Sequence, residues 1–314
     1  VERTIKPAVD GYTIHSTIDA NIKAIVEKHL LAFNEQYKNN YRFGNGAENV
    51  GCIIMDVNTG EILAMASYPN FDLNNIYDKN ALLGSVLIDE TGHYTDSYVT
   101  QDVLDTMQGD WLNYNLYGLW KNFCISDTYE PGSTIKPFTV ATALETGAIT
   151  GNEVYQCNGK LHIGGHDIHC HIRTGDGAVT VQDSIAWSCN VALMHIGQAT
   201  GKENFAKFQR IFNFGLKTNV DLAGEARTVD LLYDANMKDA DLATNTFGQN
   251  FNVTMIQMIA GYSSLINGGY YYEPHLVNKI TNSSGAVIQN IEPRVLKQTV
   301  SESTSEKIRQ YCRA

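Results

Sequence analysis

The chain has 314 residues, 43% hydrophobic and 18% charged. It is long enough for one large domain or two ordinary ones, and that composition excludes a disordered or collagen-like chain. Its net charge of −11 argues against a nucleic-acid partner, which would require a basic face; no run of about 18 apolar residues predicts a membrane span, and no charged-then-apolar leader stands at Val1.

Residues 1–13 read as a polar lead-in. An amphipathic run over 20–36 follows, with Ile22, Ile25, Val26, His29, Leu30 and Phe33 at helical spacing and Thr17 or Asp19 as N-cap. A loop rich in Asn and Gly covers 39–49. Two apolar runs, 50–56 and 61–66, flank the turn Val57-Asn58-Thr59-Gly60. They predict an antiparallel hairpin covered on both faces. Tyr68-Pro69-Asn70 ends its second strand. Residues 74–129 are polar and weakly periodic, which predicts loops and short helices with Trp111, Trp120 and several tyrosines as a satellite core. A helix pattern covers 133–146. Residues 152–180, rich in Gly and His, predict a hairpin or loop insertion. Helices are predicted over 181–197, 204–212 and 253–266, the last capped by Asn252 and stopped by Asn267-Gly268-Gly269. Residues 270–291 predict strand, turn and strand about Asn282-Ser283-Ser284-Gly285, and 301–311 a helix capped by Ser301. No internal repeat and no linker divides the chain into two cores.

Ser133 and Lys136 stand three apart, which on a helix puts them on one face with about 5–6 Å between Cβ atoms. The lysine amine then reaches the serine hydroxyl. A serine is a weak nucleophile and needs an adjacent base. A lysine serves as that base only if burial or a nearby positive charge lowers its pKa. Pro131-Gly132 suits a sharp turn that sets Ser133 at an exposed helix N-terminus, where free N–H groups favour developing negative charge. Alone, the tetrapeptide is weak and fits a capping serine and a surface lysine better. Ser188-Cys189-Asn190 offers a hydroxyl to relay a proton and an amide to hold a substrate carbonyl, on one side of an extended turn. Alone, it too is common in loops.

The two together, about 55 residues apart, carry more. The segment 129–138 resembles the active-serine segment of class B penicillin-binding proteins, and Ser188-Cys189-Asn190-Val191-Ala192 resembles their second motif. The likeness continues in order along the chain. Residues 11–21 (GYTIHSTIDAN) resemble the opening of their transpeptidase domain and 55–67 its first hairpin; Phe247-Gly248-Gln249, Val253-Thr254 and Asn267-Gly268-Gly269 resemble the stretch after the second motif. The resemblance implies one transpeptidase domain over 1–314 with an α/β (α+β) fold like that of penicillin-binding proteins and serine β-lactamases: an antiparallel sheet flanked by helices, with a mostly helical subdomain. It implies that Ser133 is acylated by a D-Ala-D-Ala stem peptide or a β-lactam and that Lys136 takes its proton. Ser188 would relay a proton toward the leaving group, Asn190 would orient the substrate amide and Lys136, and the Ser133 N–H would form half of an oxyanion hole. It also implies peptidoglycan synthesis outside the membrane within a cell-wall complex, a part in cell shape and antibiotic resistance, and a membrane anchor in a missing N-terminal part.

The family's third motif, Lys-Thr-Gly or Lys-Ser-Gly, does not occur; Lys217-Thr218-Asn219 is the nearest string and lies in the wrong place. The expectation is a chain truncated before that motif. Two rivals remain at this point. One is a β-lactamase or D,D-carboxypeptidase, weakened because no deacylating carboxylate stands near the motifs. The other is a β-lactam sensor or non-catalytic scaffold, favoured by the missing triplet.

Residues 157–171 read as a Cys/His-rich hairpin insertion. They hold two of the six cysteines and four of the nine histidines. A turn at Gly164-Gly165 sets His162 opposite Asp167 and Gly159 opposite Cys170. Cys157, His162, His169, Cys170 and His171 are candidate ligands of a structural zinc. Strict alternation splits the histidines and Cys170 between faces, so their convergence needs a bulge or loop. The alternatives are a Cys157–Cys170 disulfide, which paired cysteines at about these positions in similar proteins favour, or solvated histidines. Cys189 reads as a small filler in preference to a fourth ligand. Cys52 and His195 read as core, and the acidic run 234–241 as a solvated face.

Overall fold

The computed structural model describes residues 8, 10–40 and 46–313. Strand β1 (Thr13–Ser16) leads into helix α1 (Ala20–Tyr37), capped by Asp19, whose carboxylate accepts the N–H groups of Asn21 and Ile22. Thr17, the other candidate cap, donates its hydroxyl to the Ile62 carbonyl at 2.6 Å. Strands β2 (Val50–Met55) and β3 (Ile62–Tyr68) form the expected antiparallel hairpin, in register from Val50↔Tyr68 to Met55↔Ile62. Both faces are covered. Val26 and Leu30 of α1 pack on Ala64 with Cys52 and Ala66 at the rim, while Met55 and Ile62 face Ile125, Ile256, Ala260 and Tyr271. The apolar stripe of α1 is narrower than its periodicity suggests, and Ile25 and Phe33 stay exposed.

The polar stretch after the hairpin holds two short strands beside its helices. β4 (Val86–Ile88) pairs with β5 (Tyr94–Tyr98), followed by α2 (Gln101–Thr106), α3 (Gly109–Trp120) and α4 (Phe123–Ser126). Trp111 and Trp120 are packing residues, as expected, and each indole N–H is paired, to the carbonyls of Ile88 and Ile76.

The helical half begins with a tight turn over Gly132–Ile135 that runs into α5 (Lys136–Glu145). Residues 136–143 of α5 are all buried. Phe138 anchors it, edge-on to Phe212, Phe214 and Tyr262 at 4.8–5.0 Å between ring centres. Next come β6 (Val154–Cys157), the hairpin β7 (Lys160–Ile163) and β8 (His166–His169), and β9 (Gly177–Thr180), which returns to pair with β6. The single helix predicted over 181–197 is two, α6 (Val181–Ala186) and α7 (Asn190–Thr200). Ser188 breaks it by adopting φ +55°, a conformation that cannot continue a right-handed helix.

Helices α8 (Lys202–Ile211), α9 (Asp239–Asn245) and α10 (Met255–Ile266) complete this half. The cap of α10 is Thr254 and not Asn252, because Thr254 and Gln257 form a reciprocal capping box. The chain closes with β10 (Tyr270–Tyr272), β11 (Val277–Thr281), β12 (Val287–Asn290), β13 (Val295–Gln298) and α11 (Glu302–Tyr311), capped by Ser301. Strand order β1-β11-β12 makes one antiparallel sheet and β10-β13 another. The result is a mixed α/β architecture of short antiparallel sheets and helices. Among the described residues, no helix is long and apolar enough to cross a membrane.

Candidate active site

Ser133 stands exposed in the turn that opens α5, directly after Gly132, whose φ is +57°. Lys136 begins α5 and is 1% exposed. The break between α6 and α7 brings the second motif to these two residues. Lys136 Nζ donates to the Ser188 carbonyl, to Ser188 Oγ at 2.8 Å and to Asn190 Oδ1 at 2.8 Å. These are the three donors of an ammonium group. Ser188 Oγ in turn donates to Ser133 Oγ at 2.9 Å.

All four residues named from the sequence therefore meet in one constellation. Its connectivity differs from the simplest expectation. The link from lysine to serine runs through Ser188, because Ser133 lies in a tight turn and Lys136 in the α-helix that follows, so their spacing is not that of one regular helix. Burial lowers the Lys136 pKa to about 8, against the opposing pull of Cys170, Cys189 and Asp176. Asn190 is held at its other end too, since its Nδ2 donates to the His169 carbonyl at 3.3 Å.

The thiol cluster behind the site differs from the predicted ligand set. Cys157 and Cys170 do meet, but with Cys189 and Asp176, and the four ligand atoms all lie within 4.8 Å of one another. The histidines are not part of this group. Pairing of β7 with β8 sets His162 opposite Asp167, where His162 Nδ1 and the carboxylate are 2.7 Å apart on the solvent side. His169 is exposed opposite Lys160. His171 is exposed past the strand end, with Nδ1 3.6 Å from Cys170 Sγ. His169 and His171 turn outward, and Cys170 between them turns inward.

The three thiols are buried and unbonded to one another covalently, with Cys170 and Cys189 sulfurs 3.9 Å apart. Burial pushes the Cys157 and Cys189 thiols up. Burial also pushes Asp176 up, but hydrogen bonds from Cys189, Cys157 and Cys170 outweigh it and hold the carboxyl below its usual range. Cys189, read from the sequence as a filler, sits at the N-cap position of α7 with its thiol in this cluster and no side-chain cap bond. Asp176 was not singled out. The available signal was an acidic residue just after the Cys/His stretch, between the two motifs.

A family profile described as the penicillin binding protein transpeptidase domain matches residues 50–313. Stage V sporulation protein D of Bacillus subtilis is 29% identical over 305 residues, covering 96% of this chain and 40% of that protein. Peptidoglycan D,D-transpeptidase FtsI of Escherichia coli is 27% identical over 278 residues, covering 87% and 39%. This chain thus spans about 40% of the length of the curated relatives it matches. Among solved structures, penicillin binding protein 3 from Mycobacterium tuberculosis, complexed with aztreonam, superposes with a TM-score of 0.76 at 24% identity, covering 99% of this chain and 60% of that one. Penicillin Binding Protein 2X from Streptococcus thermophilus gives 0.73 at 22%, covering 98% and 39%. These two likenesses concern the fold. With most of its length matched by the family profile and the fold shared, the chain belongs to the penicillin-binding protein transpeptidase domain family.

Proposed function

We propose that this chain is the catalytic domain of a serine D,D-transpeptidase that cross-links peptidoglycan stem peptides and is acylated by β-lactams. The observation that carries the reading is the continuous hydrogen-bonded path from Ser133 Oγ through Ser188 Oγ to Lys136 Nζ. Ser133 Oγ attacks the carbonyl between the two terminal D-alanines, and its proton passes through Ser188 to neutral Lys136. A C–O bond forms and the C–N bond then breaks. The departing D-alanine takes a proton back along the same path. An amine of a neighbouring stem peptide then attacks the ester, a C–N bond forms and the C–O bond breaks, and the amine's proton passes to Lys136 and back through Ser188 to Ser133 Oγ. Asn190 orients the substrate amide and Lys136, and the Ser133 N–H supplies part of the oxyanion hole. The names of the relatives, a peptidoglycan D,D-transpeptidase and a penicillin-binding protein complexed with aztreonam, support this substrate class. The whole protein would work outside the membrane, anchored to it, within a cell-wall synthesis complex.

The test is the intact mass of the full-length protein after incubation with benzylpenicillin, beside Ser133→Ala. A single stable adduct, absent from the variant, is the expected result. Absence of any adduct would leave a non-catalytic scaffold, and turnover of penicillin without an adduct a β-lactamase.

The thiol cluster fits a structural zinc. Three thiolates and one carboxylate make a four-coordinate set, and a tetrahedral site with Zn–S bonds of about 2.3 Å separates its sulfurs by about 3.8 Å, close to the 3.9 Å between Cys170 and Cys189. A metal there would displace the thiol protons and fix Cys189 between Ser188 and Asn190. One zinc per chain by emission spectrometry is expected. A metal-free protein with a Cys157–Cys170 disulfide in its non-reduced peptide map would overturn it.

A further inference from the structure

The turn that aims Ser133 is held from outside its own helix. Tyr129 and Val253 exchange both backbone hydrogen bonds at 3.0 Å, Asn250 N donates to the Glu130 carboxylate at 2.7 Å, and Gly132 N donates to the Gly248 carbonyl at 2.8 Å. Residues 129–132 are thus laced to 248–253. The last of these contacts leaves no room for a side chain on the loop. A Cβ on Gly248 would lie 2.0 Å from Gly132 O and 2.5 Å from its C and N atoms, all backbone, and Gly248 has φ +86°. A Cβ on Gly132 would meet nothing within 4 Å. The intolerance therefore sits on Gly248.

The contact also has a direction. In a trans peptide the carbonyl and the next N–H point opposite ways. Gly132 O abuts Gly248, so the Ser133 N–H points away from the loop. The loop itself is tied back, Gly248 N to Asn245 O and Gln249 N to Thr244 O, both at 3.1 Å, at the end of α9. Helix α9 packs on α7, which carries Asn190.

We propose that Gly248 is a positioning residue for acylation of Ser133: by lying against Gly132 without a side chain, it sets the direction of the Ser133 hydroxyl and N–H relative to Lys136, Ser188 and Asn190. This rests on the reading of Ser133 as the nucleophile. A misplacement of about 1 Å at a reacting atom costs on the order of 100-fold in rate.

The test compares Gly248→Ala with Gly285→Ala in the full-length protein. Gly285 has φ +83° with open space around its Cβ, on the β11–β12 turn, so its variant carries similar backbone strain away from the site. With a fluorescent penicillin, G248A should lower the acylation rate constant on the order of 100-fold while the non-covalent dissociation constant and the G285A rate stay within about threefold of wild type. A milder pair probes the same lacing if G248A does not fold. Glu130→Ala should slow acylation about 3- to 10-fold, and Glu130→Gln, which keeps an acceptor oxygen, should restore it. Wild-type acylation by folded G248A, or E130Q as slow as E130A, would overturn the proposal. If wild type takes no label, the nucleophile reading fails instead. Amide exchange at Gly132 then decides the positioning claim: slow in wild type and fast in G248A supports it, and equal rates overturn it.

Discussion

Lys136 Nζ and Asn190 Oδ1 meet at 2.8 Å although 54 residues separate them. The contact closes one side of a ring in which Ser188 closes the other, and it explains how an ammonium group is kept 1% exposed with no ion pair among the described residues. Three oxygens replace the water that burial removes. Burial still favours the neutral amine, which is the form that a general base requires.

The pH dependence of acylation follows from that balance. Lys136 has a pKa of about 8, so about a tenth of the protein holds the neutral base at pH 7. The acylation rate should rise with pH at unit slope and level off above about 8. Stability moves in the same direction. The folded pKa lies below the ordinary 10.5, so the folded state binds the proton less well than the unfolded one, and the penalty present below pH 8 is relieved as pH rises to about 10.5. Stopped-flow labelling from pH 6 to 10 checks the first statement; a flat profile would rule out a lysine base that titrates near 8.

The thiol cluster predicts a second response. If the cluster holds the proposed zinc, a strong chelator should lower Tm on the order of 10 °C and expose Cys157, Cys170 and Cys189 to a thiol reagent. Asp176→Asn should weaken zinc retention without removing a thiol, because an amide is a poorer ligand than a carboxylate. Thiol titration with and without chelator reads both. Equal reactivity in the two conditions would leave a set of buried thiols with no metal.

The meeting of the four side chains was legible where it is local. Ser133-x-x-Lys136 and Ser188-x-Asn190 are short motifs whose side chains depend on their own turn, and the hairpin β2–β3 is set by two apolar runs and a turn. What was not legible depends on the chain folding back. Apolar periodicity runs through 181–197 without a visible break, and nothing in that pattern signals the φ of +55° at Ser188. Asp176 reaches the thiols because 172–177 returns onto Cys157 so closely that a Cβ on Gly175 would lie 2.2 Å from the Cys157 carbonyl oxygen, and one on Gly159 2.0 Å from that of Arg173. Two glycines separated by sixteen positions carry that information only as a pair. Alternation through 169–171 was legible and already separated Cys170 from His169 and His171.

Helix α5, which begins at Lys136, is anchored by Phe138. Phe138 is 2% exposed and meets three aromatic rings edge-on. Phe138→Ala should cost about 3–5 kcal/mol, as the transfer and cavity contributions add. Urea denaturation measures it. A cost below about 1 kcal/mol would mean that the surrounding rings collapse into the space.

Ser188 allows its two roles to be separated. Its hydroxyl bridges Lys136 and Ser133, and its backbone makes the break that starts α7. Ser188→Ala removes the hydroxyl and keeps a Cβ at φ +55°; Ser188→Gly removes the hydroxyl and relieves the left-handed strain. Both should acylate about 100- to 10,000-fold more slowly, the usual worth of a positioned proton-transfer group. The glycine variant should be about 1 kcal/mol more stable than the alanine variant. If the relay is the function of this residue, the two slow equally despite differing in stability. If the residue matters only through its backbone, the glycine variant recovers the wild-type rate and the alanine variant never loses it, and the path from Ser133 to Lys136 must then run through water.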